Sequence, residues 1–382
     1  MKVKSEKHAP AKARGKKTKS KNSAVNEVLM RKCIELAGKG KGYVSPNPLV
    51  GCVTVKNGKV ISEGWHKKFG ENHAEINAIN AAKAKGISLK GAALYVNLEP
   101  CSHQGKTPPC TDEIIKNKIN EVVIGTKDPN PAVAGKGIKK LKNNRIKVTA
   151  GVLEDQCRTL NKFFFKFIKS GLPYITLKAA QTLDGKIADI EGKSKWISSI
   201  ESRKLVHEMR SRYDAVLVGK NTVEKDNPEL TVRNVKGRNP YRIIIDTDLA
   251  LNLNNKLFSD KFTDKTIIIA SKEPDKFLSG ILEQRKIRVV KARAKNGLID
   301  LKDAMKKIAS LGISSVLVEG GAFTFTEFIK QNAADELLIF TSPKIMGNGI
   351  STFKSGLKFD FTKAKKITAE TSGKDFLLKI IL

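Results

Sequence analysis

His73-Ala74-Glu75, followed further on by the run PCSHQGKTPPC from Pro100 to Cys110, brings together the residue types of a catalytic zinc site. Zinc takes imidazole nitrogen and thiolate sulfur in a tetrahedron. A catalytic site keeps three protein ligands and leaves the fourth position to water. His73, Cys101 and Cys110 supply three. Zinc lowers the pKa of the bound water toward neutrality, which makes hydrolysis the natural reaction. Something must then carry the proton from that water to the leaving group. Glu75, two residues past His73, is placed to do so without ligating. Both thiolates are expected at or near helix starts, where the dipole favours negative charge. A histidine and two thiols can equally be core residues, and that is the reading for Cys33, Cys52 and Cys157. Four positions matching one chemistry favour the site over the core.

The second half carries groups suited to phosphate. Gly320-Gly321 lies between an apolar strand-type run and a helical one, where free N–H groups can hold an anion. Alone, a Gly-Gly turn is more often a packing device. Arg210 and Arg233 offer guanidinium forks, which bind phosphate bidentately, although either alone is more often a surface arginine. Trp196, one of two tryptophans, sits in the polar run GKSKWISS, which suits a pocket wall as well as a core. Lys178 is a candidate acid at a strand end, and Asp184 beside Gly185 reads as a turn residue.

These residues need elements to hold them. VNEVLMRKCIELAGKG has helical spacing, with order starting near Val25. SPNP (45–48) is a turn. LVGCVTVKNGKVISEGW reads as a hairpin around Lys56-Asn57-Gly58. ENHAEINAINAAKAKG reads as a helix ending at Gly86, and residues 92–98 as a strand. A helix from 110 to 118, a strand at 121–126, a helix, a strand, and one final helix over DQCRTLNKFFFKFIKSG complete a three-layer α/β unit. Ser170-Gly171-Leu172-Pro173 combines a helix stop with a proline and marks the boundary. The organisation is then a disordered basic tail (1–24), a first domain (25–171) and a second α/β domain (172–382). In the second, PYITLKAA, DAVLVG, YRIIID, KTIIIAS, KIRVVKA, SSVLVEGG and DELLIFTSPKI are strands, with helices at ESRKLVHEMRSR, LKDAMKKIASLG and AFTFTEFIKQN.

The net charge is +33 over 382 residues. Such a balance raises a nucleic-acid reading. Its distribution weakens that reading: residues 1–22 hold nine Lys or Arg against one Glu, and the remainder is scattered as single lysines. A phosphate-bearing small substrate also suits a basic protein. No run approaches the ~20 apolar residues of a membrane span. Five cysteines, odd and sparse, argue for a reducing compartment, and the N-terminus has no apolar signal region. The expectation is a cytoplasmic enzyme with no nucleic-acid or membrane partner.

At His73-Ala74-Glu75 and LEPCSHQGKTPPC the sequence resembles the riboflavin-biosynthesis pyrimidine deaminases. Nucleobase deaminases in general carry His-x-Glu with a short Pro-Cys-x-x-Cys. Here the two cysteines are nine positions apart, and the extra loop carries His103, Lys106 and Thr107. The resemblance continues through LKAAQTLDGKIA, SKWIS, HEMRSRYDAVLVGKNTVEKDNPELTVR and VLVEGGAFTFTEF, which look like the attached reductase. The bifunctional deaminase/reductase family thus covers about residues 25 to 382. It implies a cytidine-deaminase-like zinc domain followed by a dihydrofolate-reductase-like α/β domain. It implies deamination of a phosphoribosylaminopyrimidine, then hydride transfer from NADPH to C1′, which opens ribosyl to ribityl. Asn47 is implied as a substrate contact in the first half. Substrate contacts from Ser194, Arg210, Leu230, Arg233 and Glu319 are implied in the second. Cofactor contacts are implied from Ala180, Trp196, Thr222, Asp226, Thr247 and the run Gly321, Ala322, Phe323, Thr324, Phe325, Thr326 and Glu327. The family also implies homo-oligomers, dimers or tetramers. A deaminase acting on nucleic acid and a degenerate scaffold are the competing readings. The long cysteine spacing and the second domain speak against the first, the intact zinc quartet against the second.

Overall fold

The structure, a computed structural model, describes residues 21–382 apart from 105–107 and 132. Residues 1–20 of the tail, and Lys106 and Thr107 of the loop, lie outside the described residues. The first helix, α1 (Lys21–Gly38), starts four residues inside the stretch read as tail. No glycine or proline stands between Lys21 and Val25 to stop the helix there.

The first unit is built on β1 (Gly51–Lys56), β2 (Lys59–Trp65), β3 (Ala93–Leu98), β4 (Glu121–Thr126) and β5 (Lys147–Ala150), in the order β2-β1-β3-β4-β5. The hairpin β1–β2 turns at Asn57 (φ 51°) and Gly58 (φ 71°), both left-handed, as an Asn-Gly turn requires. β1 is antiparallel to β2 and β3, whereas β3, β4 and β5 run parallel. The strand period of two divides the apolar side chains between the faces. Cys52, Leu94, Val96, Val122 and Ile124 pack against α2 (Ala74–Ala84), α3 (Cys110–Lys116) and α4 (Lys136–Asn143). Val53, Tyr95 and Val123 pack against α1 and Cys157 of α5 (Glu154–Leu160). The three layers follow from that division.

The expected final helix is two helices, α5 and α6 (Lys162–Ser170), broken at Asn161. Asn161 is buried, and its side-chain amide pairs with both backbone groups of Leu49. That pairing sets a bend which the apolar spacing does not announce.

After Gly171 the chain enters a nine-stranded sheet. Its parallel strands are β6 (Tyr174–Gln181), β8 (Ala215–Gly219), β9 (Tyr241–Ile245), β10 (Thr266–Ala270), β11 (Arg288–Lys291), β14 (Ser315–Val318) and β15 (Glu336–Thr341). β17 (Lys366–Ser372) and β18 (Asp375–Ile381) form an antiparallel hairpin on one edge, giving the order β11-β10-β9-β8-β14-β6-β15-β18-β17. Short pairs, β7 (Lys186–Ala188) with β16 (Ile350–Ser351) and β12 (Ala294–Lys295) with β13 (Leu298–Ile299), lie outside it. The helices are α7 (Ile200–Arg212), α8 (Lys220–Asp226), α9 (Lys256–Ser259), α10 (Lys276–Gln284), α11 (Leu301–Ser310) and α12 (Ala322–Lys330). Parallel strands covered on both faces read as near-continuous apolar runs, as in AVLVG of β8 and TIIIA of β10. Arg242 in β9 is 1% exposed. It donates to Thr266 and to the carbonyls of Glu229, Leu257 and Phe262, and pairs with Asp260, so its charge is fully accommodated.

Candidate active sites

The zinc-type residues converge at one end of the first sheet. His73 is the N-cap of α2, with extended backbone, and Glu75 follows in the first turn. Cys110 is the first residue of α3. Cys101 itself lies in irregular chain after β3, not at a helix start, but its Sγ accepts the backbone N–H of Cys110 at 3.3 Å. Both sulfurs therefore use the same helix N-terminus. The ligand atoms of His73, Cys101 and Cys110 all lie within 4.8 Å of one another. His73 Nδ1 is 3.3 Å from Cys110 Sγ and 3.6 Å from Cys101 Sγ. Tetrahedral zinc with bonds of about 2.0–2.1 Å to nitrogen and about 2.3 Å to sulfur puts these atoms roughly 3.5 Å apart. The donor set fits the ion in type and in spacing.

The electrostatics agree with that fit. The Cys101 thiol is held down to about 4, first by its hydrogen bond with Cys110 and then, against burial, by His73. Cys110 is pushed up by that same bond and by burial. A metal taking both sulfurs as thiolates displaces whatever proton they carry. Glu75 is 3% exposed, and burial raises its carboxyl to about 7, with Cys101 adding and His73 opposing.

Asn47 stands beside this cluster. Its Nδ2 is 3.3 Å from His66 Nε2, and the His66 ring meets His73 edge-on with centroids 5.6 Å apart. His66 was not visible as a site residue from sequence. It is a lone histidine after a strand, and only the fold carries it to within a ring's width of His73.

In the second unit a cavity of about 850 Å³ opens at the C-terminal ends of β8, β9 and β14. Its walls include every second-half residue expected in a site except Thr326. Thr326 is buried, and its Oγ1 accepts the backbone N–H of Lys354. Gly320 and Gly321 join β14 to α12. A Cβ at Gly320 would lie 2.7 Å from Thr324 Cβ, so glycine is what lets the start of α12 close onto the strand.

Arg210 reaches Glu319 through Nε at 2.7 Å and Nη2 at 3.0 Å, and Lys178 lies 3.5 Å from the same carboxylate. Burial alone would raise Glu319, but Arg210 and Lys178 overcome it and hold the carboxyl down at about 2. Both Glu319 oxygens are thus engaged by cations, and its first effect is to orient Arg210. Leu230 is buried with left-handed backbone (φ 54°). Arg233 is exposed and pairs with Glu229 at 2.8 Å. His207, another residue that sequence did not single out, lines the cavity and accepts the Arg233 N–H at Nδ1. Burial, then Arg210 and Arg233, lower its pKa. Trp196 is 65% exposed at the cavity wall with the Arg203 guanidinium 4.5 Å over its ring.

Comparison with known proteins follows the same division. Residues 23–126 match the cytidine and deoxycytidylate deaminase zinc-binding region, and residues 173–378 match the RibD C-terminal domain. The riboflavin biosynthesis protein RibD of Aquifex aeolicus is 45% identical over 357 residues, covering 93% of this chain and 98% of that protein. RibD of Actinobacillus pleuropneumoniae is 37% identical, with 92% and 94% covered. The crystal structure of a diaminohydroxyphosphoribosylaminopyrimidine deaminase/5-amino-6-(5-phosphoribosylamino)uracil reductase from Thermotoga maritima superposes with a TM-score of 0.82 at 42% identity, over 94% of this chain and 99% of that one. Acinetobacter baumannii RibD gives a TM-score of 0.83 at 32% identity, with the same coverage. Among the described residues no helix is long and apolar enough to cross a membrane. The nucleic-acid reading of the charge finds no support in any of these relatives. Two sites of different chemistry, matched half by half and then end to end, make the chain a member of the RibD family, a deaminase and a reductase of riboflavin biosynthesis on one polypeptide.

Proposed function

We propose that the first half (25–171) deaminates 2,5-diamino-6-(5-phosphoribosylamino)pyrimidin-4-one and the second (172–382) reduces the ribosyl group of the resulting 5-amino-6-(5-phosphoribosylamino)uracil. The convergence of His73, Cys101 and Cys110 next to buried Glu75 carries the reading. His73, Cys101 and Cys110 would hold the ion. Zinc, when bound, acidifies a coordinated water so that hydrolysis proceeds near neutral pH. Glu75 takes the proton from the attacking side and returns it to the departing amine, its buried carboxyl suited to both states. Asn47 orients the pyrimidine.

In the second half Arg210 and Arg233 hold the substrate phosphate, with Glu319 fixing the Arg210 fork and Ser194 and Leu230 completing the contact. Ala180, Trp196, Thr222, Asp226, Thr247, Gly321 to Phe325 and Glu327 line the cavity that would take the dinucleotide. Thr326 acts one step back, by fixing Lys354. NADPH, when bound, supplies the hydride, and the chain's part is to orient it and exclude water. Assembly with copies of itself and work in a reducing cytoplasm belong to the same reading.

Incubation of the purified protein with the diaminopyrimidine phosphate, with and without NADPH, tests it. Ammonia should appear in both, and NADPH should be consumed only after ammonia. NADPH oxidation without ammonia release would refute the order.

A further inference from the structure

The segment from Gly40 to Leu49 is held at both ends. At Leu49 the partners come from its own half. Asn161 Oδ1 accepts the Leu49 N–H at 2.7 Å, and the Asn161 and Asn97 amides both donate to the Leu49 carbonyl at 2.9 Å. Toward Gly42 the partners come from the other half. Asp214, just before β8, is buried. Its Oδ2 accepts Ser45 Oγ at 2.6 Å, the Ser314 N–H at 2.9 Å and Ser314 Oγ at 2.8 Å. Its Oδ1 accepts Arg238 Nη2 at 2.9 Å, and Arg238 Nε donates to the Gly42 carbonyl. Gly42 (φ +82°) approaches the end of α7 so closely that a Cβ would lie 2.4 Å from the Ser211 carbonyl oxygen.

Asn47 lies between these two clamps. Its N–H donates to the Val44 carbonyl at 2.8 Å, and its side chain meets His66, which meets His73. Contacts therefore run from Asp214 through Ser45 and the Asn47 turn to the zinc-type cluster. A hydrogen bond between two domain surfaces ordinarily fixes only their relative placement. This one fixes the turn that carries Asn47.

We infer that Asp214, a residue of the reductase half, is a positioning residue for the deaminase site: through Ser45 and Arg238 it sets the Gly42–Asn47 turn and so the place of Asn47 against the pyrimidine. The inference rests on the reading of Asn47 as a substrate contact. Asp214 stands at the N-terminal end of β8, and the reductase cavity opens at Gly219, on the order of 17 Å away at about 3.3 Å per residue. Loss of the clamp should therefore reach one activity and spare the other.

The test uses the full-length, zinc-loaded protein. Asp214→Asn keeps one oxygen and removes the charge facing Arg238, so either Arg238 or the Ser45–Ser314 side loses its acceptor. Ser45→Ala removes only the hydroxyl on the deaminase side and leaves the Asp214 contacts to Ser314 and Arg238 in place, so it should fold as the parent does. Both should raise the KM of deamination roughly three- to tenfold, the factor one net hydrogen bond is worth. The kcat of deamination, the zinc content and both reductase constants should hold, and Ser45→Thr, which keeps the hydroxyl, should restore the KM. In an Asn47→Ala background Ser45→Ala should add nothing. Unchanged deaminase KM in folded Ser45→Ala and Asp214→Asn would overturn the inference, and so would a parallel fall in both activities. If Ser45→Ala raises KM while Asn47→Ala does not, the clamp stands and the role given to Asn47 falls.

Discussion

Replacing Glu319 by glutamine is the sharpest test of how the reductase cavity is held. The carboxylate is nearly inaccessible, with 7% of the side chain exposed, and it faces the Arg210 fork and the Lys178 ammonium. Its carboxyl sits at about 2, against an ordinary 4.5. At 1.36 kcal/mol per pH unit, that gap corresponds to about 3 kcal/mol of stability from the ionised form. The folded pKa is depressed, so the contribution is complete above about pH 4.5 and is lost as pH falls toward 2. Glutamine keeps the shape and removes the charge, leaving two buried cations unanswered, which costs about 3–5 kcal/mol at neutral pH. Denaturant unfolding of the parent and Glu319→Gln, followed at pH 7, 5 and 3.5, should show a gap that is constant above pH 5 and shrinks below 4.5. The reductase KM should rise as well, because Arg210 loses the partner that aims it. A gap that stays the same from pH 7 to 3.5 would refute the assignment of this stability to the ionised carboxylate.

Glu75→Gln should abolish ammonia release while zinc content and reduction of the deaminated substrate stay at parent levels; loss of reduction in a folded variant would break the two-site account. Cys101→Ser should cost the protein its stoichiometric zinc, checked by metal analysis after dialysis, and full occupancy would refute the ligand assignment. Gly320→Ala places a methyl 2.7 Å from Thr324 Cβ. Overpacking of that kind costs about 1–3 kcal/mol, and it should weaken NADPH binding about tenfold in a direct titration while deamination is unaffected. Parent-like binding would show that the close approach of α12 is not part of the cofactor site.

The convergence of His73, Cys101 and Cys110, with Glu75 two residues on from His73, was legible in the sequence because hydrolytic metal chemistry restricts residue type so strongly that such residues point to one another across 37 positions. The parallel strands were legible for a different reason: burial on both faces leaves continuous apolar runs. The hairpin β17–β18 escaped because β17 is exposed along almost its whole length and gains its order from pairing with β18, not from an apolar pattern of its own. The bend at Asn161 escaped because it depends on Leu49, which lies 112 positions away. Within the run from Gly321 to Glu327, Thr326 is set apart by the Lys354 backbone N–H that its hydroxyl accepts, a contact 28 positions away that the sequence does not announce. Six of the run's seven residues line the cavity, because the N-terminal end of α12 and the turn before it point into it. Thr326 is the residue turned away. His66 and His207 offered no pattern at all; each acquires meaning from what the fold sets against it.

The two tryptophans fall one to each half. Trp65 closes β2 beside His66, with the Lys39 and Lys67 ammonium groups 4.9 and 5.4 Å from its ring. Trp196 forms an open wall of the second cavity. The chain thereby carries its own optical labels. Trp65→Phe leaves a single indole on the wall of the second cavity, and Trp196→Phe leaves one beside His66, next to the His73, Cys101 and Cys110 cluster. A ligand entering either site should then change the emission of its own indole, with no added label.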